Sequence, residues 1–440
     1  MSPEHLAIVM FVGVLVLVLA GVPLYLSLAF LGLAFGILGG WAPQVYTQFI
    51  HRIFGLMASE VLPAVPLFVF MGAMLERSEV ADRLYGSLHL AMGGIRGGLA
   101  LVTIVICTMF AACTGVIGAS VTAMGLLALP AMLKRGYNIP LATGTICAGG
   151  TLGILIPPSV MLLLYGPMAN LSVSRLFMAA FVPGLLLSFL YLAYVGVVCF
   201  VRPSYGPPIP ASERKIPKTE LFKSISINML PTLFLILAVL GSIFFGIAAA
   251  TEAAAMGAFG AVVIALAYRK LTWQGFYDSA KSTLRITAMV MFVAVGAALF
   301  SGVFTALGGS KLIGAFLLGL PFGKWGVVLV MMIILIILGM FIDWIGILYI
   351  VVPIFTPVAL ELGFEPLWWA MIVAVNLQTC FLTPPFAYSM FYLKGVAPEE
   401  VTMGHIYRGV VPFLLLQFVG IALVIAFPQL SLWLPGLMYK

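Results

Sequence analysis

Charge is what this 440-residue chain has least of: Asp, Glu, Lys and Arg together make up 8% of it, against roughly 25% in an ordinary soluble domain. With 63% hydrophobic residues, that scarcity excludes a water-soluble globular protein. Residues 97–133 and 136–174 carry no charge at all, and soluble cores are not built from such runs. Cysteine is also sparse. Cys107, Cys113, Cys147, Cys199 and Cys380 lie inside apolar segments without CxxC spacing, so they read as packing residues, with no disulfide framework and no thiolate metal site. The four histidines, His5, His51, His89 and His405, are dispersed near segment ends and build neither a metal centre nor a proton relay. A net charge of +7 raises the question of nucleic acid, but no Lys/Arg block is interleaved with aromatics on a polar stretch, and that partner is excluded. The segment 319–324 has neither the spacing nor the Ser/Thr of a phosphate loop. No ATPase domain is expected, so an ion gradient or a partner subunit must supply energy. The first 21 residues lack a basic n-region and a small-residue cleavage site, and read as a retained spanning helix.

What is abundant is apolar length. A crossing needs about 20 largely apolar residues for a core about 30 Å thick, and hydropathy punctuated by Pro, Gly and charge gives ten crossings: 5–20, 23–40, 61–76, 138–166, 176–200, 226–246, 252–268, 286–306, 366–393 and 409–428. The expected class is an all-α polytopic membrane protein. Two further apolar stretches, 100–133 and 326–360, are too long for one crossing and carry Gly and polar residues in the middle. Each fits two half-helices meeting at a re-entrant tip, which is tolerated at membrane depth only where the tip is buried in protein or faces a watery cavity. One long tilted helix per stretch is the alternative.

The extended polar segment 202–224 holds five prolines and five basic residues and separates two similar halves. Gly136-Tyr137 recurs as Gly363-Phe364, Pro130 as Pro357 and Pro157-Pro158 as Pro384-Pro385, all offset by 227; Gly72 recurs as Gly296 and Gly115 as Gly339, offset by 224. The expected organisation is scaffold helices of the first repeat (1–60), its arm, hairpin and broken helix (61–201), a cytoplasmic linker (202–224), scaffold helices of the second repeat (225–285), and the second arm, hairpin, broken helix and last helix (286–440). With the linker cytoplasmic, sixteen of the 21 Lys and Arg fall on that side, leaving Arg52, Arg175, Lys311, Lys324 and Lys440 outside. The positive-inside bias supports this arrangement, and the two hairpins then enter from opposite sides. The repeats are inverted.

Inverted repeats with interrupted helices point to a secondary transporter, because half-helix ends and unwound carbonyls can hold ions and anionic groups near the midplane. Gly149, Gly150, Thr151, Gly153 and Pro157-Pro158-Ser159 break the first helix; Asn376, Gln378, Thr379, Thr383 and Pro384-Pro385 break the second. Packing kinks without a ligand are the competing reading. Asp343 is the one acidic residue deep in an apolar segment, where a carboxylate costs on the order of 2.5–3.5 kcal/mol on insertion scales. A cation such as Na⁺ is its simplest partner, since no Lys or Arg stands nearby in that segment; capping of a half-helix or protonation are the structural alternatives. The first hairpin offers only Thr114, Ser120 and Thr122 in the matching region. A channel would need a polar stripe along several helices, and an enzyme convergent acid and base groups at one depth; neither pattern is present.

The runs GTLGILIPPS (150–159) and GASVTAMGLLALPAMLKRGY (118–137), with PLFVFMG (66–72), TEA (251–253), LGMFIDW (338–344) and LTPPF (382–386) in the same order, give the chain a resemblance to the large membrane subunit of tripartite ATP-independent periplasmic (TRAP) transporters, the DctM family. The resemblance spans nearly the whole chain. It implies an elevator-type, Na⁺-driven permease of the ion-transporter superfamily in a bacterial inner membrane, importing an organic acid with a small four-helix membrane subunit and a periplasmic substrate-binding protein, and without a cofactor beyond the coupling ion. A stand-alone carboxylate transporter or antiporter of the same superfamily fits the duplication equally. Carried over, the family's Na⁺ region falls on Thr114, Gly115, Gly118, Ser120, Gly150, Thr151, Pro157, Gly339, Asp343, Gln378, Thr379 and Thr383, and the substrate region on Ser120, Ser159, Asn376 and Thr383. The first tip reads Gly-Ala-Ser at 118–120 where many members have Gly-Ser-Ser, and the second break reads Leu-Gln-Thr-Cys at 377–380 where a glycine-containing variant is common.

Overall fold

The computed structural model describes residues 2–40, 42–115, 117–210 and 217–438. Its first half runs α1 Pro3–Leu19, α2 Leu24–Leu38, α3 Ala42–Met57, α4 Ala64–Arg77, α5 Val80–Met92, α6 Gly98–Thr114, α7 Ile117–Lys134, α8 Ile139–Leu155, α9 Val160–Ala169 and α10 Val173–Val201. The second half runs α11 Lys218–Phe244, α12 Ala250–Ala267, α13 Trp273–Ala306, α14 Gly309–Leu318, α15 Gly323–Gly339, α16 Trp344–Glu361, α17 Pro366–Leu377, α18 Tyr388–Val396, α19 Met403–Ala426 and α20 Gln429–Met438. No strand occurs among the described residues.

The duplication is built into local geometry. Gly136 and Gly363 both turn the chain at positive φ, +71° and +79°, a conformation that favours glycine. Two residues later Asn138 caps α8 by accepting from Leu141 N–H at 3.1 Å, and Glu365 caps α17 by accepting from Trp368 N–H at 2.6 Å. Packing repeats the pattern: α2 lies along α13 as α12 lies along α4, α6 packs on α8 as α15 packs on α17, and α5 meets α11 as α14 meets α1. In the second half α13 runs unbroken through residue 285, whereas its first-half counterpart is divided into α3 and α4 by the segment 58–63, which ends in Pro63.

Both long apolar stretches are helix, break, helix: α6 and α7 in one, α15 and α16 in the other, which removes the single tilted helix as an alternative. The expected crossings 138–166 and 366–393 are interrupted at Pro157-Pro158 and Pro384-Pro385, whose peptide bonds are cis. Among the described residues, eight helical segments are long and apolar enough to cross a membrane: α7, α8 with α9, α10, α11, α12, α13, α16 and α19. The expectation of ten crossings thus differs from this set at its shorter members. Helices α1, α2 and α4 have 17, 15 and 14 residues, α4 being cut short at Pro63, and α17 ends where the second break begins. Large apolar side chains such as Phe30, Phe189, Phe234 and Phe259 stand exposed, as lipid-facing residues do.

Helices α1 to α4 pack mainly with α11 to α13, and the hairpins mainly with α8 to α10 and α17 to α20; across the seam between these two bodies α13 packs on α16 and α4 on α6. Within the second body, α8 and α19 touch backbone to backbone: a Cβ at Gly144 would stand 2.1 Å from the Gly409 carbonyl oxygen. Small residues at such crossings are how membrane helices gain van der Waals contact. One face of the molecule gathers much of the basic charge. There Gly206 and Tyr205, just after Arg202, accept from Gly97 N–H and Asn138 N–H at 2.8 and 3.0 Å, Lys270 pairs with Glu79 at 2.6 Å, and Arg77 donates to Ser279 at 3.2 Å. Residues 211–216 of the expected linker, and Lys440 of the expected outer cations, lie outside the described residues.

Candidate functional site

Four interruptions of regular helix meet at one place. At the first tip α6 ends and the chain reverses at Gly115, φ +57°. A Cβ there would stand 3.3 Å from Val160 and 3.5 Å from the Pro158 carbonyl, so this tip rests on the first break. Gly118, in the first turn of α7, faces the Tyr392 ring, 3.0 Å from a Cβ, and so meets the helix that follows the second break. The second tip is closer still: a Cβ at Gly339 would stand 2.1 Å from Cys380 Sγ. Between these elements is a cavity of about 150 Å³. Gly115, Ile117 and Gly118 line it from one tip, Asp343, Trp344 and Ile345 from the other, Ile154 and Val160 from the first break, Phe381, Tyr388 and Tyr392 from the second. Ile286, Met289 and Val290 of α13 close it from the other body.

Asp343 is the polar centre of this cavity. It precedes the first turn of α16 in extended conformation, makes no side-chain capping bond, and its carboxylate lies against the amides of Trp344 and Ile345. The N-terminal dipole of α16 favours the negative charge. Among the described residues no Lys, Arg or His lines the cavity. Tyr388 and Tyr392, one helical turn apart on α18, stand within electrostatic reach of the carboxylate.

The remaining expected residues form two groups, with Ser120, Gln378 and Thr114 apart from both. Pro157 lies in the first break, whereas Gly149, Gly150, Thr151 and Gly153, expected to break the helix, sit inside α8, which stays regular to Leu155 because the prolines, not the glycines, remove its donors; a Cβ at Gly150 would stand 2.3 Å from Val121 Cγ2, so only glycine lets α8 and α7 approach as they do. A second group has side chains engaged with backbone or with neighbouring helices. Thr151 donates to Ala148 O at 2.8 Å, Ser159 donates to Ile154 O and caps α9, Asn376 donates to Met332 O at 3.0 Å, Thr379 to Asn376 O at 2.8 Å and Thr383 to Thr379 O at 2.5 Å. Ser120 faces a small separate cavity beside Glu76 and Cys107. Gln378 stands apart: its amide is fully buried and, among the described residues, neither its oxygen nor its nitrogen has a hydrogen-bond partner. Thr114 ends α6, and its side chain lies outside the described residues. Sequence reasoning missed Tyr388, Tyr392 and the α13 wall. The i, i+4 spacing of the two tyrosines directly after Pro384-Pro385 was the available signal; nothing in α13 distinguishes Ile286, Met289 and Val290 from lipid-facing residues.

Inverted repeats, paired hairpins and broken helices converging on one half-buried site define a secondary-transporter architecture. Residues 11–430 match the family model of the tripartite ATP-independent periplasmic transporter, DctM component, and the chain belongs to that family. It is a multi-pass membrane protein and a transporter permease. It is 33% identical over 443 residues to the ectoine/5-hydroxyectoine TRAP transporter large permease protein UehC of Ruegeria pomeroyi, covering 99% of this chain and 100% of that one. It is 32% identical to the C4-dicarboxylate TRAP transporter large permease protein DctM of Pseudomonas aeruginosa, over 90% of this chain and 91% of that one. It is 30% identical to the sialic acid TRAP transporter large permease protein SiaM of Vibrio cholerae, covering 97% of each. The crystal structure of the Alcanivorax borkumensis YdaH transporter shares the fold, with a TM-score of 0.64 over 89% of each chain at 14% identity.

Proposed function

We propose that the chain is the large permease subunit of a Na⁺-coupled importer of an organic acid, working in a bacterial inner membrane with a small four-helix membrane subunit and a periplasmic binding protein that delivers the cargo. The observation that carries the reading is the convergence of both tips and both breaks on the Asp343 cavity. A half-buried carboxylate with no cationic partner among the described residues calls for a counter-ion, and oxygen donors suit a hard cation. The unpartnered Gln378 amide in the second break points the same way, since leaving such a group unsatisfied costs about 1–3 kcal/mol. Relatives of nearly equal identity carry names with different cargoes, a C4-dicarboxylate, ectoine and sialic acid. Carboxylic acid is the chemistry those three share, and which acid this chain moves is a property of the binding protein as much as of the permease.

The elevator reading rests on α13. The Asp343 cavity abuts Ile286, Met289 and Val290, towards the basic face, while a second, larger cavity abuts Ser301 and Thr305 further along the same helix. At 1.5 Å per residue, Met289 and Ser301 are about 18 Å apart along the axis. A rigid body carrying tips and breaks along this wall would move the site from one face towards the other, with this conformation open towards the basic, cytoplasmic side. In proteoliposomes holding both membrane subunits and the cargo-loaded binding protein, uptake is expected to require an inward Na⁺ gradient. Uptake unchanged when choline replaces Na⁺ at constant proton gradient would overturn the coupling.

A further inference from the structure

The second cavity, about 840 Å³, opens at the end of α13 away from the basic face, on the seam between the two bodies. Amphipathic α3 supplies Gln48, His51 and Arg52 to it, α13 supplies Ser301, Gly302 and Thr305, and the moving body contributes Met168, Tyr349 and Pro353. No Asp or Glu lines it among the described residues. The Arg52 guanidinium is held against α13 by the absence of a side chain there: a Cβ at Gly302 would stand 3.0 Å from both Arg52 Nε and Nη2. It makes no ion pair among the described residues, where Lys270 with Glu79 does. The two cavities therefore divide the electrostatics, with the carboxylate Asp343 in one and the cation Arg52 in the other.

That division has a physical consequence for an anionic cargo. The site on the moving body offers no cationic side chain, so a carboxylate reaching it meets Asp343 and whatever counter-ion Asp343 holds. An approaching anion is attracted first by Arg52. We propose that the outer crevice is a holding site for the cargo's carboxylate, gripped by the Arg52 fork with His51 and Gln48 beside it, before the moving body receives the cargo. Guanidinium matches carboxylate geometry in a bidentate, charge-assisted pair, and a cleft lined by one sign of charge raises the local concentration of its counter-ion. Because Arg52 sits on the fixed body, the grip is released when the cargo travels. This inference takes the organic-acid reading for the cargo's identity, while the charge selectivity of the crevice can be measured without it.

All five native cysteines are buried, so Ser301→Cys introduces one accessible thiol into the crevice. In the full chain assembled with its small subunit in proteoliposomes, the labelling rate by an anionic methanethiosulfonate (ethylsulfonate) is compared with that by a cationic one (ethyltrimethylammonium). Arg52→Gln is expected to lower the anionic-to-cationic ratio about tenfold, the low end of electrostatic focusing in clefts; Arg52→Lys should largely preserve it. Succinate, added as the probe carboxylate, should slow labelling by both reagents with Arg52 present and not with Arg52→Gln. If Arg52→Gln prevents assembly, Gly302→Val, which displaces the guanidinium without removing its charge, should give a lower ratio and weaker succinate protection. A ratio indifferent to both substitutions overturns the inference. So does protection by cargo-free binding protein and not by succinate, which would make the crevice a docking point for an acidic side chain of that partner. Loss of Na⁺-driven uptake with charge selectivity and succinate protection intact would count against the transport reading alone.

Discussion

Ahead of the first break, inside α8, Gly149 and Gly150 bring backbone against neighbouring helices, with a Cβ at Gly149 3.0 Å from Cys107 and one at Gly150 2.3 Å from Val121. At the second break the matching stretch carries Asn376, Gln378, Thr379 and Thr383, all buried. The tips differ in the same sense, since Gly115 and Gly118 offer the cavity no side chain whereas Asp343 offers a carboxylate. One backbone plan thus presents backbone on one side and side-chain oxygens on the other. Substitutions at Gly115, Gly118 and Gly150 should act through packing, and those at Asp343 and Gln378 through chemistry.

The largest expected effect is steric and belongs to the first half. Gly144→Ala would drive a Cβ to 2.1 Å from the Gly409 carbonyl, and because backbone cannot step aside as a side-chain end can, a loss of about 3 kcal/mol or more is expected, read as a fall in unfolding midpoint and yield. The position 227 further on is Met371, fully buried in the core, so at this position the second half accommodates a side chain that the first does not. Next comes Asp343→Asn, which should leave assembly intact and weaken the apparent Na⁺ affinity of uptake about tenfold, the worth of one charge-assisted contact; wild-type Na⁺ dependence would remove Asp343 from the ion site. Gln378→Leu should raise stability in Na⁺-free buffer by about 1 kcal/mol, since an unsatisfied buried amide is removed, while abolishing part of the Na⁺-induced stabilisation. A loss of stability without Na⁺ would mean that the amide is already satisfied. Smallest is Glu79→Gln, which breaks the half-exposed pair with Lys270 and should cost below about 1 kcal/mol in the same unfolding measurement.

Much of the fold was legible because its punctuation is local. Gly136 and Gly363, the two Pro-Pro pairs, and polar residues in the middle of over-long apolar runs mark breaks that a backbone without a donor, or at positive φ, must make. Helix α3 was not legible: Gln48, His51 and Arg52 lower its hydropathy, and its amphipathic face acquires meaning only against α13. The continuity of α13 was hidden for a related reason, since Asp278, Lys281 and Arg285 look like a loop at a membrane edge but lie on a helix that extends past the apolar span. At the site the sequence marked which segments meet, and Asp343 among them. It could not distinguish side chains engaged with backbone, such as Asn376 and Thr379, from one left unpartnered, such as Gln378, because that depends on where α15 and the second break lie in space.

The unfolding midpoint of the full chain, titrated with NaCl against choline chloride at matched ionic strength, addresses the claim that Asp343 and the converging tips and breaks hold a cation. A saturable rise with Na⁺ alone, lost or shifted to higher concentration in Asp343→Asn, is the expected result. An equal response to choline, or an undiminished Na⁺ response in Asp343→Asn, would contradict it.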